Sequence, residues 1–198
     1  MVMTREYFNQ RAAIWDDRIA EKDTTRLECL ARRLNIEPGS TVLDVGSGTG
    51  VFLPFLLKAL GGRGRIIALD FAENMLSLAR AKGFGGNIDY LQADVAHIPV
   101  GDRAFDTVVC YSSFPHFRDK PGIFAEIHRV IKPGGRLLIC HTASRLSINR
   151  MHRQIPAVKD DLIPDEDEMK FMLSGAGFTE IRIDDESDSY LASARKSG

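Results

Sequence analysis

A chain of 198 residues and 22.0 kDa is long enough for one domain with a substantial core, and no second domain is expected. Its 26 basic and 27 acidic side chains leave a formal net charge of −1, which gives no electrostatic footprint for nucleic acid or an anionic membrane. No apolar run approaches the length of a membrane-spanning helix, Met1 to Glu6 lacks the apolar core of a secretion signal, and the odd set Cys29, Cys110 and Cys140 suits buried thiols in a reducing compartment.

From Thr4 to Ile19, Phe8, Ala12, Trp15 and Ile19 recur at i, i+4, i+7 and i+11, the spacing of an amphipathic helix with an aromatic stripe that lies across the sheet or the pocket. A second helix carries Leu27, Leu30, Ala31 and Leu34 on one face, with Thr24 or Thr25 available as its cap, before Glu37-Pro38-Gly39-Ser40 breaks it. Thr41 to Val45 is a β-branched strand that empties into Gly46-Ser47-Gly48-Thr49-Gly50, where alternate glycines let a ligand lie against the backbone. A helix from Val51 to Leu60 follows and tolerates Pro54 in its first turn. Arg65 to Asp70 is a second buried strand, ending in a carboxylate twenty residues after Gly50, where an acid typically grips a ribose diol. The glycine spacing is G-x-G-x-G; the dinucleotide fingerprint G-x-G-x-x-G is absent because position 51 is Val.

Further along, a helix opens after Asp70 and runs to Lys82, Ile88 to Gln92 is a short strand followed by Ala93-Asp94-Val95, and His97 to Arg103 is loop. Phe105 to Cys110 is apolar enough to be buried on both faces and leads into Tyr111-Ser112-Ser113-Phe114-Pro115-His116-Phe117. In doubly wound sheets the ligand crevice lies where strand order reverses, which assigns Tyr111 and Ser112 to a reaction chamber. Lys120 to Ile131 is a helix, Lys132-Pro133-Gly134-Gly135 turns the chain, and Arg136 to Cys140 is a fifth strand ending at His141. Arg145, Asn149 and His152 fall at i, i+4 and i+7 of a helix starting at Ser144, a polar stripe that either lines a substrate cavity or faces solvent. Asp160 and Asp161 either pair with those side chains or solvate a loop. Acids from Asp165 to Glu168 suit a helix N-terminus, Met169, Met172, Leu173 and Ala176 give its apolar face, and Gly177 stops it before two last strands, Thr179 to Ile183 and Tyr190 to Ala194.

The ordered set VLDVGSGTG, IIALDFAENML, YLQADVAHIP, FDTVVCYSSFPHF and IKPGGRLLIC resembles the motifs of class I S-adenosylmethionine (SAM)-dependent methyltransferases over residues 40 to 142. Tyr7 to Asp16 is similar to the N-terminal lid of the quinone-biosynthesis, UbiE-like branch. The resemblance implies an α/β fold, a doubly wound seven-stranded Rossmann-like sheet, mostly parallel with an antiparallel last strand and helices on both faces. It divides the one domain, 1–198, into a helical lid (1–36), a SAM-binding core (40–142) and a substrate-side segment (143–164). It places Asp44, Gly46, Ser47 and Gly48 of the first motif at the cofactor, Asp70 on its ribose, Phe71 and Met75 beside the adenine, and Asp94 and the Val95 N–H on the adenine edge. Tyr7 and Trp15 approach the methionine end, where aromatic faces favour a sulfonium.

Methyl transfer from a sulfonium asks the protein mainly to position two reactants and exclude water; a base is needed only when the acceptor loses a proton. His116 and His141 are the candidate bases and Arg145, Asn149 and His152 the candidate substrate contacts. A zinc site from Cys140, His141 and His152 has no supporting spacing, and no metal is expected. The expected partner is a small-molecule methyl acceptor, with no nucleic acid and no membrane insertion, for a cytoplasmic monomer or homodimer. Two alternatives stand beside this one: a SAM-binding protein without turnover, and an NAD-dependent oxidoreductase, which the glycine spacing disfavours. The Asn/Asp-Pro-Pro-aromatic tetrapeptide of DNA amino-methylation is absent where the chain has Ser112 to Pro115.

Overall fold

The computed structural model of this chain describes residues 2–18 and 24–198. Its strands are β1 (Thr41–Val45), β2 (Arg65–Asp70), β3 (Ile88–Gln92), β4 (Phe105–Tyr111), β5 (Ile131–His141), β6 (Phe178–Asp185) and β7 (Tyr190–Lys196). They form one sheet in the order β3-β2-β1-β4-β5-β7-β6, parallel except for β7, which runs antiparallel to both of its neighbours. The last strand is therefore antiparallel as expected, but β6 forms the sheet edge and β7 is threaded between it and β5. Strand order reverses between β1 and β4, which places a crevice at the carboxyl ends of those two strands.

The helices are α1 (Val2–Arg18), α2 (Thr24–Arg33), α3 (Leu53–Leu60), α4 (Glu73–Ala81), α5 (Lys120–Val130), α6 (Arg145–Arg153) and α7 (Glu166–Gly175). Successive strand residues point to opposite faces, so unbroken apolar runs feed two cores. Leu43, Val108 and Ile139 pack with Phe124 of α5 and Leu173 of α7, while Val42, Val109 and Leu138 pack with Leu27 of α2 and Leu56 of α3. That two-sided burial is why the central strands read as hydrophobic throughout rather than alternating.

Local chemistry sets the element ends. Gly61 closes α3 in the left-handed conformation (φ 63°), Asp119 caps α5 by accepting the Gly122 N–H, and Asp165 caps α7 by accepting the Glu168 N–H. The turn expected at Lys132 to Gly135 lies inside β5 instead. Ile131 already bridges Phe105, and the register next resumes at Thr107 with Arg136, so the intervening residues bulge out of one continuous strand. Cys110 and Cys140 are buried, whereas Cys29 is exposed on α2, contrary to the expectation of three buried thiols. Ile19, the last position of the aromatic stripe, lies outside the described residues. Among those residues no helix is long and apolar enough to cross a membrane.

Candidate active site

The loop after β1 is shaped by a close approach from β4. Gly46 has φ +69°, and a Cβ there would lie 2.4 Å from the Cβ of Ser113. Ser113 is brought in because Ser112 takes a left-handed φ of 51°, turning the chain as it leaves β4 so that the Ser113 hydroxyl donates to the Val45 carbonyl at 2.6 Å. The loop and the chamber beyond β4 thus form one unit.

Asp70, at the end of β2, pins the same loop from the other side: Oδ2 accepts the Gly48 N–H and Oδ1 the Ala72 N–H, each at 2.8 Å. Burial pushes its carboxyl up to about 6, against the lowering effect of those N–H donors. Asp44 is buried beneath the loop, where burial and the neighbouring Asp70 charge push it up to about 7, and its Oδ2 has no hydrogen-bond partner among the described residues. An acid with a raised native pKa gives stability that is complete below its unfolded value near 4 and is lost as the pH rises through about 7. Asp44→Asn, which cannot titrate, is accordingly expected to flatten the fall in stability between pH 5 and 8 in denaturant melts; parallel curves for the two proteins would refute this.

A cavity of about 850 Å³ opens above these acids, within the size range of cofactor and small-ligand sites. From the loop side it is lined by Gly46, Ser47, Gly48 and Asp70, from α4 and its approach by Phe71 and Met75, and from the end of β3 by Asp94 and Val95. Asp94 also accepts the Ala96 N–H through Oδ1. Tyr111 and Ser112 close the β4 end, with Tyr111 stacked 4.3 Å from Phe52. Asp44 alone among the expected cofactor residues does not reach the cavity, lying one layer below.

Helix α1 covers the crevice. Arg5 and Asn9 both donate to Glu73, Lys82 pairs with Asp16 at 2.6 Å, and the Asp16 carboxylate also accepts from the Thr49 hydroxyl. Tyr7 and Trp15 line the cavity as expected, although the Arg11 guanidinium sits 3.9 Å from the Tyr7 ring centroid. Phe8, on the same stripe, makes edge contacts with Phe71 and His116, so it is as much a chamber wall as a packing residue.

The far side holds three imidazoles. His141, at the end of β5, is 4% exposed; burial, then the charges of His116 and His152, push it down to about 3, so it stays neutral, and its Nε2 has no partner among the described residues. His116 lies in the short turn Phe114–His116, with Nδ1 2.9 Å from Asp161 Oδ2 and its ring stacked 5.1 Å from His152. His152 lines the cavity, its basicity lowered chiefly by burial. Its companions on the polar stripe do not. Asn149 is spent on the backbone of Ile163, and Arg145 turns to Asp185, with its N–H donating at 2.8 Å and its side chain at 3.5 Å. The face of α6 that meets the cavity carries Ile148 and Met151 beside His152, because the helix is rotated to hide Asn149. Arg11, Arg118 and Ile148 also line the cavity, with nothing in the sequence that singles them out, and Asp161 pairs with His116 rather than solvating a loop.

Two unpartnered buried oxygens, Asp44 Oδ2 and Ser47 Oγ, lie at a loop where added Cβ atoms would clash. Paired buried acids beneath this tight glycine turn fit a polar, cation-bearing adenosine compound such as SAM.

Comparison with known proteins gives the same assignment. Residues 43–139 match the methyltransferase domain family. The chain is 30% identical over 173 residues to the ubiquinone/menaquinone biosynthesis C-methyltransferase UbiE of Haemophilus ducreyi, covering 74% of this chain and 67% of the relative. A SAM-dependent methyltransferase from Aquifex aeolicus superimposes with a TM-score of 0.71 at 26% identity, covering 87% of this chain and 93% of that one. A chain from the complex between the Haloferax volcanii Trm112 methyltransferase activator and a methyltransferase gives 0.80 at 21% identity, covering 96% and 98%, a likeness of fold. The chain belongs to the class I SAM-dependent methyltransferases, enzymes that transfer a methyl group from SAM to an acceptor molecule.

Proposed function

We propose that this enzyme methylates a hydroxylated aromatic acceptor with an apolar substituent, and that His116 removes the proton the acceptor must lose. The observation that carries this reading is the His116–Asp161 contact of 2.9 Å at the wall of a cavity whose α6 side is apolar. When bound, SAM supplies a methyl group on a sulfonium sulfur, which keeps the carbon–sulfur electron pair as the acceptor's own pair forms the new bond.

The chain's residues divide the remaining work. Asp70 accepts from the ribose hydroxyls, Asp94 and the Val95 N–H recognise the adenine edge, and Phe71 and Met75 flank its ring. Gly46, Ser47 and Gly48 carry the methionine portion over Asp44, whose raised pKa a cation above it would bring back down. Tyr7 and Trp15 on α1 cap that end and exclude water, making residues 1–36 a lid, 40–142 the SAM-binding core and 143–164 the acceptor side. Tyr111 and Ser112 border the transferring methyl. His141 is too weak a base near neutrality to take the proton and instead offers a neutral hydrogen-bond partner to the acceptor. Arg145, Asn149 and His152 act on the acceptor side unequally: His152 directly, the other two by holding the segment in place. With its near-zero net charge, the enzyme works as a monomer or homodimer on a free small molecule.

The UbiE relatives are C-methyltransferases of ubiquinone and menaquinone biosynthesis, and the Ile148, Met151, Ile155 and Val158 wall here suits a hydrocarbon tail on such an acceptor. The test is label transfer from methyl-labelled SAM to a prenylated 1,4-naphthohydroquinone, its tail-free parent and its di-O-methyl ether. Turnover of the hydroquinones with an inert diether is expected. Label in the diether, or in a primary amine but in neither hydroquinone, would overturn the reading.

A further inference from the structure

Residues 154–165 form no helix or strand, yet the stretch is pinned to α6 at two points. The Asn149 amide donates to the Ile163 carbonyl and its oxygen accepts the Ile163 N–H, both at 2.9 Å. His152 Nδ1 meets the Asp161 carbonyl at 2.5 Å. From the second pin Asp161 sends its carboxylate the other way, to His116 Nδ1 on the β4 side of the chamber. One residue therefore holds two imidazoles, one by its main chain and one by its side chain, with the rings 5.1 Å apart and 27° from parallel.

The two acceptors fix where the ring protons sit. A carbonyl oxygen cannot donate, so the hydrogen of that contact belongs to His152 Nδ1; an ionised carboxylate cannot donate either, so His116 Nδ1 carries one too. Each neutral ring then has Nε2 as its lone-pair nitrogen. For His116 this is the tautomer that a base must have if Nε2 is to meet the acceptor. The proton taken there produces an imidazolium whose opposite N–H already faces a carboxylate, so no side chain has to move to pair the new charge. His152 is anchored by an oxygen whose position does not depend on the Asp161 side chain.

Resting on the reading of His116 as the base, we propose that Asp161 is the positioning residue of the reaction: its carboxylate holds His116 in the Nδ1–H tautomer, and its carbonyl holds His152 as a stacked wall behind that ring. Asn149 completes the device by fixing the backbone two residues further on. The polar stripe of α6 thus acts on the base through the segment it secures.

The test is nitrogen-15 NMR of the histidine side chains in the full chain with S-adenosylhomocysteine, above neutral pH. Both His116 and His152 are expected as Nδ1–H tautomers. In Asp161→Ala, His116 loses that preference while His152 keeps it, since the main-chain carbonyl is untouched; Asp161→Glu returns His116 to Nδ1–H. A His116 ring that is Nε2–H in the native chain, that stays Nδ1–H in the alanine variant, or that shifts only together with His152 would overturn the proposal. The outcome is separable from that of the base assignment, which fails if His116→Gln turns over the hydroquinone at the native rate.

Discussion

Asp70→Ala lowers the affinity for S-adenosylhomocysteine by about 100-fold or more, the equivalent of losing two charge-assisted hydrogen bonds of roughly 1.5–3 kcal/mol each. The carboxylate is 5% exposed and already accepts the Gly48 and Ala72 N–H groups, so it orders the glycine loop before any ligand arrives. Its removal takes away both the sugar contact and the pin on the loop. The folded state should lose little, because burial already penalises this charge, and removing it also relieves the repulsion with Asp44. The measurement is calorimetric titration of S-adenosylhomocysteine alongside a thermal melt. A collapsed affinity with a melting temperature within a few degrees of the native protein is expected; retained affinity would remove Asp70 from the cofactor site.

His116→Gln produces the second large effect, a fall in kcat of about 10²–10⁴-fold on the hydroquinone probe, the range general-base catalysis contributes. Glutamine keeps a donor toward Asp161 and leaves the wall near Phe8 filled, but has no nitrogen able to take a proton. The KM for SAM should therefore stay within about two-fold, since only the transition state loses an interaction. A matched rise in that KM with unchanged kcat would instead place His116 in cofactor binding.

How much of this site could be read from the sequence depends on how local the determinants are. The Gly46 to Gly50 turn, Asp70 and Asp94 were legible because each lies at or just past the carboxyl end of a strand, and the parallel sheet brings all such ends to one edge. The helix starts near Ser144 and Asp165 were legible because the side chains that cap them act within three residues. Rotation of a helix about its own axis is not local. Spacing put Arg145, Asn149 and His152 on one face, and they do share it, but only packing decided that Ile148 would meet the cavity and Asn149 would be buried against Ile163. The His116–Asp161 pair spans 45 positions and joins a turn to an irregular segment, so no periodicity could announce it. The bulge within β5 escaped because Pro133-Gly134-Gly135 reads as a turn wherever it occurs, and the bridge from Ile131 to Phe105 that keeps it inside the strand is a long-range contact.

Where the cofactor lies relative to the three histidines decides the mechanism, and a crystal structure of the S-adenosylhomocysteine complex measures this directly. It should show the adenosine over the Gly46 to Gly50 turn, the sugar hydroxyls on Asp70, the adenine edge at Asp94 and the sulfur facing the chamber that holds His116. A ligand whose sulfur faces away from His116, or whose sugar and base leave Asp70 and Asp94 untouched, would contradict it.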